Sequence, residues 1–387
     1  MARLEEICSL ITDGSHFSPE DEGVGYPMFS VKDMTPNGFN ISGCKKIGEE
    51  AYKKLVANGC KPLNDDVVVA KDGSYLKTAF VIKGNPEITL LSSIAILRPK
   101  IDLVVPEYLS YFLKSDAVYR TVSLNYITGT ALKRIILKGI RKIEVDLPDI
   151  GEQEQRAQRL SKVDYLCQLR KQQLAKLDEL VKALFVEMFG DPVSNPLHWK
   201  KVKLSELADI KIGPFGSLLH KEDYVTGGHP LVNPSHIING KIIVDNDLTL
   251  TEGKYFELSA YRLKKNDVVL GRRGEMGRCA VVDEDGLLCG TGSLLIRANG
   301  TVTADYIQKI ISFPTFKKTI EDMAVGQTMP NLNVPIVSNF MIIVPPLSVQ
   351  KDYYDFVECV DQQKQTVQQS LEKLELIKKA LMQEYFG

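Results

Sequence analysis

The chain has 387 residues, which is too long for one ordinary domain and enough for two or three that each bury a core. It is 44% hydrophobic and 25% charged, and it contains no apolar run near the roughly 18 residues of a membrane span, so we expect a globular protein with no membrane association. A net charge of −1 excludes a strongly basic protein that binds polyanions by overall charge alone.

The beginning of the chain, MARLEEICSL, carries acidic residues where a signal peptide has a basic region and an apolar core. Seven scattered cysteines without a C-x-x-C pair predict free thiols in a reducing compartment. We therefore expect a cytoplasmic protein. The five histidines lack metal-binding spacing, and no metal site is predicted.

The first segment, residues 1–146, is predicted to be an α+β domain, which we call head one. Its β-rich runs include Val67–Ala70 and Ser93–Leu97, and they are separated by Gly, Asn and Asp turns. Short helices are predicted at Glu49–Asn58 and Pro106–Lys114. The acidic pair Asp65–Asp66 is interpreted as a solvated turn.

Residues 147–190 form the first predicted spacer helix. Steps of three and four residues define a heptad seam, with Gly151 as the expected N-cap and Gly190 as the terminating glycine. The seam consists of Leu160, Val163, Cys167, Arg170, Leu174, Leu177, Val181, Leu184 and Met188.

Residues 191–343, which we call head two, repeat head one loosely. LSELADIKIGP corresponds to LEEICSLITDG, and DVVLGRRGE corresponds to DVVVAKDGS. Strands are predicted at Val268–Leu270 and Leu294–Ile296, and helices at Ala304–Ser312 and Thr315–Asp322. Residues 1–150 hold 19 basic and 19 acidic side chains and residues 191–346 hold 17 of each, so any polyanion affinity must come from local patches or from a partner.

Residues 344–387 align without a gap onto the first spacer, and about a third of the positions are identical. This second spacer helix, with Ser348 as its expected N-cap, ends in the same Phe-Gly pair that precedes head two. We therefore expect its end to lie beside the N-terminus, with two antiparallel helices forming a coiled coil and a pseudo-twofold, circular arrangement. Its seam consists of Val357, Val360, Lys364, Val367, Leu371, Leu374, Lys378, Leu381 and Tyr385.

Neither seam is fully apolar. Arg170, Lys364 and Lys378 are expected either to extend to solvent or to face another protein. The alternative is that each helix is the amphipathic face of a larger helical domain. The first seam spans roughly 43 Å at 1.5 Å per residue, slightly more than one DNA turn of about 34 to 36 Å.

The order of these motifs resembles the specificity (S) subunits of type I restriction-modification systems. The resemblance covers essentially the whole chain. It rests on the LP and VPP entries followed by Gln153 and Gln350, on the helix ends ALFVEMFGDP and ALMQEYFG, and on SNPLHWKKVKLSELADI, ITDGSH, GPFGS and GRRGEMGRCAVV. Head one departs from the pattern because it lacks a counterpart of His198–Lys201, so its first strand is expected either to be short or to be supplied differently.

The resemblance implies that the heads are target recognition domains, each reading one half of a bipartite, gapped site in double-stranded DNA. It implies that the helices set the gap and bind two methyltransferase subunits. S-adenosylmethionine, ATP and Mg²⁺ would belong to the methyltransferase and restriction (translocation) subunits, and this chain would bind no cofactor.

The residues themselves favour no catalytic role. There is no N-P-P-F or D-P-P-Y loop to hold a flipped base, and no G-x-x-x-x-G-K-[ST] motif. The glycine-rich string at 271–277 precedes another β-rich run, so a hairpin is predicted rather than a phosphate loop. The alternatives are a two-headed coiled-coil scaffold that does not bind DNA and, less favoured, a self-sufficient enzyme.

Two segments in each head are candidates for contacting DNA, since they concentrate arginine, lysine and amide groups. The alternative is an exposed turn with ordinary surface charge, and Asn331 could be only a turn former. Because the two heads differ in these residues, the target is expected to be asymmetric. The hairpin candidates are Lys71, Asp72, Ser74, Tyr75 and Lys77 in head one, and Arg272, Arg273, Glu275 and Arg278 in head two. The candidates before the spacer helices are Thr128, Gly129, Thr130, Lys133 and Arg134, and Gln327, Thr328 and Asn331.

Overall fold

The structure is a computed structural model that describes residues 1–73, 75–128, 133–215, 218–324 and 331–387. It divides into two compact units, and both spacer helices contribute to both units. Unit 1 comprises Met1–Leu174 and Thr366–Gly387, and unit 2 comprises Ala175–Gln365.

Head one contributes a mixed set of short strands and helices to unit 1, followed by the first spacer helix. The elements are β1 (Ala2–Arg3), α1 (Leu4–Ile7), β2 (Cys8–Asp13), β3 (Tyr26–Phe29), β4 (Met34–Thr35), β5 (Gly38–Phe39), β6 (Lys45–Ile47), α2 (Glu49–Ala57), β7 (Val67–Ala70), β8 (Ala79–Val81), β9 (Thr89–Leu90), β10 (Ile94–Pro99), α3 (Pro106–Leu113), α4 (Asp116–Asn125), β11 (Ile127–Thr128), β12 (Arg134–Ile135), α5 (Leu137–Arg141), β13 (Glu144–Val145) and α6 (Ile150–Phe189).

Head two repeats most of this order and ends in the second spacer helix; β16 is an additional strand, and β11 and β12 have no counterpart among the described residues. The elements are β14 (Lys201–Lys203), α7 (Leu204–Leu207), β15 (Ala208–Ile212), β16 (Tyr224–Val225), β17 (His229–Val232), β18 (Ile237–Ile238), β19 (Lys241–Ile242), β20 (Thr249–Leu250), α8 (Glu252–Glu257), β21 (Asp267–Gly271), β22 (Cys279–Val281), β23 (Leu288–Cys289), β24 (Ser293–Ala298), α9 (Ala304–Ile311), α10 (Pro314–Met323), α11 (Val334–Ser338), β25 (Met341–Ile343) and α12 (Leu347–Phe386).

The main sheet has the same topology in both heads. Its strand order is β2-β10-β7-β8 in head one and β15-β24-β21-β22 in head two, and all neighbours are antiparallel. The predicted strands at Val67–Ala70 and Val268–Leu270 correspond to β7 and β21, the third strand in each order. The repeat found in the sequence is thus confirmed as a repeated α+β fold. The first strand is shorter in head one, two residues against three, as expected.

An ion pair between a buried carboxylate and a partly exposed arginine stabilises the main sheet of each head. Asp66 is fully buried and accepts from two nitrogens of Arg98 at 2.8 Å, and Asp267 accepts from Arg297 in the same way at 2.8 and 2.7 Å. The interpretation of Asp66 as a solvated turn residue was therefore wrong. The carboxylate of Asp66 also accepts a hydrogen bond from the backbone N–H of Leu63, so both the arginine and the backbone hold it in place.

Both spacer helices begin one residue before the predicted caps. Gly151 lies inside α6, and the side chain that caps this helix is Asp149, whose Oδ1 accepts from the backbone N–H of Glu152 at 2.9 Å. Ser348 likewise lies within α12. The predicted end at Gly190 is confirmed, since this residue has a φ of 73°, a conformation that favours glycine.

The heptad seam is confirmed in both helices. Every seam residue is buried or half-buried, and within each unit the two helices pack with opposite directions. The apolar seam positions predicted as helix contacts are Leu160, Val163, Leu174, Leu177, Val181 and Leu184 in α6, and Val357, Val360, Leu371, Leu374 and Leu381 in α12.

The polar seam residues are paired across the helices. Lys378 contacts Asp164 at 2.5 Å in unit 1, and Lys364 contacts Asp178 at 2.7 Å in unit 2. Arg170 donates to Ser370 at 3.2 Å. Partners inside the chain therefore pair with these side chains, while Lys364 and Lys378 stay 32% and 37% exposed, in agreement with the expectation that they extend toward solvent. No helix in the described part of the chain has the length and apolar character needed to span a membrane.

Candidate DNA-contact site

The two candidate segments of head one form a single site. The backbone N–H of Gly73 donates to the carbonyl of Lys133 at 2.8 Å, and that of Ile135 donates to the carbonyl of Lys71 at 3.0 Å. Asp72 and Arg134 face each other in an antiparallel bridge between these bonds. We call residues 71–73 and 133–135 the loop junction of head one.

The loop junction of head two, residues 272–273 and 331–332, has the same backbone arrangement. The N–H of Leu332 donates to the carbonyl of Arg272 at 2.9 Å, and Arg273 and Asn331 form the antiparallel bridge. The predicted hairpin between β21 and β22 is confirmed. Segments that lie about 60 residues apart in the sequence therefore present their side chains together in both heads.

Two predicted contact residues of head one are buried, so their prediction as surface contacts was wrong. Lys71 is 7% exposed, and its ammonium group is paired with Asp13. Tyr75 is 4% exposed; it stacks on Tyr119 with a centroid distance of 5.3 Å, and its hydroxyl lies 3.1 Å from that of Ser123. Neither side chain is available to a ligand at the surface.

The predicted contact residues of head one that are exposed in the structure are positively charged. Lys77 and Lys133 are exposed, and the ammonium group of Lys77 lies 5.6 Å from the ring centre of Tyr119. Arg134 is half exposed and lies 3.7 Å from a carboxylate oxygen of Asp72. The other oxygen of Asp72, Oδ1, is buried and has no hydrogen-bond partner among the described residues. Within that part of the chain, the carboxylate faces Arg134.

In head two the arginines differ in what they contact. Arg272 is half-buried, and its Nε donates to Oδ1 of Asn331 at 3.2 Å and to the carbonyl of Leu332 at 3.3 Å. Burial, followed by the neighbouring charge of Arg273, lowers the pKa of Arg272. Arg273 is exposed and makes no ion pair with the part of the chain that the structure describes. It is the guanidinium group most accessible to a ligand.

The rest of the hairpin is held in a local charge cluster. Glu275 contacts Lys317 at 2.8 Å and Arg278 at 3.1 Å, and these cations lower the pKa of its carboxyl group. Arg278 also donates to the carbonyl of Pro234 at 3.2 Å. Glu275 and Arg278 are therefore committed largely to each other and to their neighbours.

The remaining predicted residues lie beside the loop junctions or outside the described part of the chain. Thr128 borders the junction of head one, since it lies on β11 and pairs with Arg134. The others fall outside the described residues, namely Ser74, Gly129, Thr130, Gln327 and Thr328.

One glutamine fixes each spacer helix to its head, Gln153 in the first helix and Gln350 in the second. The sequence did not reveal this role. Gln153 is buried; its Oε1 accepts from the N–H of Val105 at 2.9 Å, and its Nε2 donates to the carbonyl of Pro148 at 2.9 Å. Gln350 does the same with Thr303 at 3.2 Å and Pro345 at 2.9 Å. The signal was present, since both glutamines occupy one position of the repeat.

Solved structures share this fold over the whole chain. The crystal structure of a type I restriction-modification S subunit from M. genitalium is 16% identical and has a TM-score of 0.57, with all of this chain and 95% of that chain covered. A second structure, reported for complex assembly and conformational transition of the type I R-M system, is 17% identical with a TM-score of 0.60, and the coverage is 100% and 96%. The fold is thus that of a two-headed specificity subunit.

The sequence comparison gives the family. The model of the type I restriction modification DNA specificity domain matches residues 1–179 and 196–376. This chain belongs to that family, the specificity subunits of type I restriction-modification systems. Among its relatives in Methanocaldococcus jannaschii, the type I restriction enzyme MjaVIII specificity subunit is 23% identical over 349 residues, covering 85% of this chain and 79% of the relative. The putative MjaX specificity subunit is 21% identical over 409 residues, with 98% and 90% covered.

Proposed function

We propose that each head reads one half of an asymmetric, gapped site in double-stranded DNA through its loop junction. The observation that carries this proposal is the recurrence of one backbone arrangement with different side chains. Arg273 and Asn331 occupy in head two the positions of Asp72 and Arg134 in head one. A constant backbone with variable polar side chains is suited to reading different base edges.

The neutral heads imply that most of the affinity for phosphates comes from a partner. Each phosphate contact made by a basic side chain contributes to affinity in a salt-dependent way, and the numbers of basic and acidic residues are equal in residues 1–150 and again in residues 191–346. Two methyltransferase subunits docked on the spacer helices would supply these contacts, together with S-adenosylmethionine and the methyl-transfer chemistry. Restriction subunits would add the ATP-driven, Mg²⁺-dependent reactions.

Exposed apolar side chains outside the seam support docking on the spacer helices. In unit 1 they include Tyr165 at 59% exposure and Leu376 at 67%, and in unit 2 they include Leu180 at 47% and Val186 at 49%. Apolar side chains that the internal helix packing leaves in solvent favour burial against another protein. Replacing Leu376 with glutamate should reduce co-purification of the methyltransferase subunit, whereas the same change at exposed Gln368 should not.

The proposal is tested by measuring DNA binding of the chain alone and of its complex with co-expressed methyltransferase subunits, at physiological salt. We expect weak, salt-sensitive binding by the chain and tight, sequence-specific binding by the complex. Methylome sequencing of cells that express the complex should then show one bipartite motif. A complex without sequence preference would overturn the proposal and favour the scaffold alternative.

The helices are proposed to set the gap between the half-sites. Insertion of one heptad after Leu174 and one after Gln365 keeps both seams in register and lengthens each helix by about 10 Å. The methylated motif should then have a longer gap and unchanged half-sites. A motif with the original gap would contradict this role.

A further inference from the structure

We propose that each head selects a guanine through one arginine of its loop junction, Arg134 in head one and Arg273 in head two. This inference rests on the proposed function and deepens it by naming the residues that determine specificity. It also states that the two heads present their arginine from opposite sides of the junction. In head one the arginine comes from the segment before the spacer helix, and in head two it comes from the hairpin.

The backbone register makes the two junctions comparable residue by residue. Asp72 and Arg134 are bridged in head one as Arg273 and Asn331 are in head two. The residue that follows each bridge, Ile135 or Leu332, is fully buried and donates its N–H to the hairpin. The side chains at the bridge therefore vary on a fixed frame.

A difference between β2 and β15 explains why Lys71 in head one and Arg272 in head two have different partners. Asp13 pairs with Ala95 in head one, and Ile212 pairs with Leu294 at the equivalent position in head two. Asp13 holds the ammonium group of Lys71 in the interior. Head two has no carboxylate there, so Arg272 turns to Asn331 instead.

One arginine at each bridge keeps an exposed side chain. In head two, Asn331 engages Arg272, while Arg273 is exposed and without an ion pair among the described residues. In head one, Arg134 keeps half of its side chain exposed while Asp72 faces it at 3.7 Å. Asp72 is thus a positioning residue that orients the guanidinium group.

A guanidinium group presents two parallel N–H donors, which match O6 and N7 of guanine in the major groove. Lysine carries the same charge but lacks this planar fork. Replacing the arginine with lysine therefore separates base reading from simple attraction to phosphate.

The test uses the complete chain with its co-expressed methyltransferase subunits and a pool of DNA duplexes with randomised positions, from which bound sequences are selected. Arg273→Ala should abolish the preference for one guanine in one half-site, with a loss of about 5- to 150-fold, and leave the other half-site unchanged. Arg134→Ala should do the same in the opposite half-site. Arg273→Lys should lose that preference while keeping most of the affinity.

Two further variants serve as controls. Arg278→Ala removes a hairpin arginine that Glu275 and Pro234 already engage, and it should leave both half-sites unchanged. Asp72→Asn should weaken the guanine preference of the Arg134 half-site alone, and thermal unfolding verifies that each variant is folded.

The outcomes separate this inference from the proposed function. Sequence-specific binding with unchanged base preferences in Arg273→Ala and Arg134→Ala would overturn the inference and leave the proposed function intact. A uniform loss of affinity with a lower salt dependence would likewise overturn it, since that result indicates phosphate contacts. Loss of all sequence preference in the unmodified complex would refute the proposed function itself.

Discussion

Replacing Gln153 with leucine should destabilise unit 1, although the two side chains have similar volumes. Gln153 is 1% exposed and makes three hydrogen bonds, to the N–H of Val105 at 2.9 Å and to the carbonyls of Pro148 and Leu103 at 2.9 and 3.2 Å. Leucine would leave these groups without a partner, and each buried unsatisfied group costs about 1 to 3 kcal/mol.

The expected magnitude is smaller than the sum of three such penalties. Leu103 is exposed, so its carbonyl can bind water instead. The other two groups cost about 3 kcal/mol together, and the apolar surface that leucine buries beyond the glutamine stem returns about 1 kcal/mol. The variant should therefore lose about 2 kcal/mol in its free energy of unfolding. Gln350→Leu should lose less, because its bond to Thr303 is longer, at 3.2 Å.

Calorimetry and urea unfolding followed by circular dichroism measure this loss. For a unit of roughly 200 residues, about 2 kcal/mol lowers the melting temperature by about 4 to 8 °C. Gln158→Leu is the matched control, since that glutamine lies on the same helix and is exposed. If Gln153→Leu changed stability no more than Gln158→Leu, the assignment of this glutamine as the anchor between helix and head would be wrong.

Three further changes test other parts of the fold. Gly190→Ala should lower the free energy of unfolding by about 1 to 2 kcal/mol in urea unfolding, because φ is 73° and a Cβ would lie 2.8 Å from Cγ of Pro196. Unchanged stability would contradict the conclusion that the helix end at residue 190 requires glycine. Asp267→Ala should cost about 3 kcal/mol in the same assay, since it leaves the guanidinium of Arg297 partly buried without its carboxylate; a loss below 1 kcal/mol would show that water replaces the pair. A thiol reagent should modify only Cys359 rapidly in the native protein and all seven cysteines after unfolding, because the other six are buried; rapid modification of a second thiol would contradict this packing.

Long-period patterns in the sequence predicted the architecture well. The seams recur over several heptads, and their burial follows from helix geometry alone, so both spacer helices and the end at Gly190 were predicted. The start of α6 was predicted less well, because Asp149 competes with Gly151 as a cap and only the backbone geometry decides between them. Helix α4 was missed although Ser115 signals its start by accepting from the N–H of Val118.

The sequence predicted which segments form the candidate site, but not which of their side chains are exposed. Hairpin charge and the repeat located both halves of each junction. The sequence did not reveal that Lys71 is buried, because that depends on Asp13, which lies 58 residues away. The burial of Tyr75 was not predicted either, because its stacking partner Tyr119 lies on a helix that the sequence pattern did not indicate. Contacts between distant residues decide which polar groups remain for a ligand.

The repeating unit of the sequence and the structural unit of the fold are not the same. In the sequence, a head is followed by its helix. In the structure, the core that contains Leu4 and Tyr108 of head one also contains Leu160 from the start of α6 and Phe386 from the end of α12. Head two is completed in the same way, since Phe189 packs against Tyr306.

Each helix therefore begins in one unit and ends in the core of the other. A head excised with only its own following helix lacks the aromatic residue that closes its core, and burial of one such side chain contributes about 1.5 to 3 kcal/mol. The loop junctions, by contrast, use residues of one head alone. Their side chains can change without altering the helix ends. Under the proposed function, this separation allows new base preferences to arise on a constant pair of spacer helices.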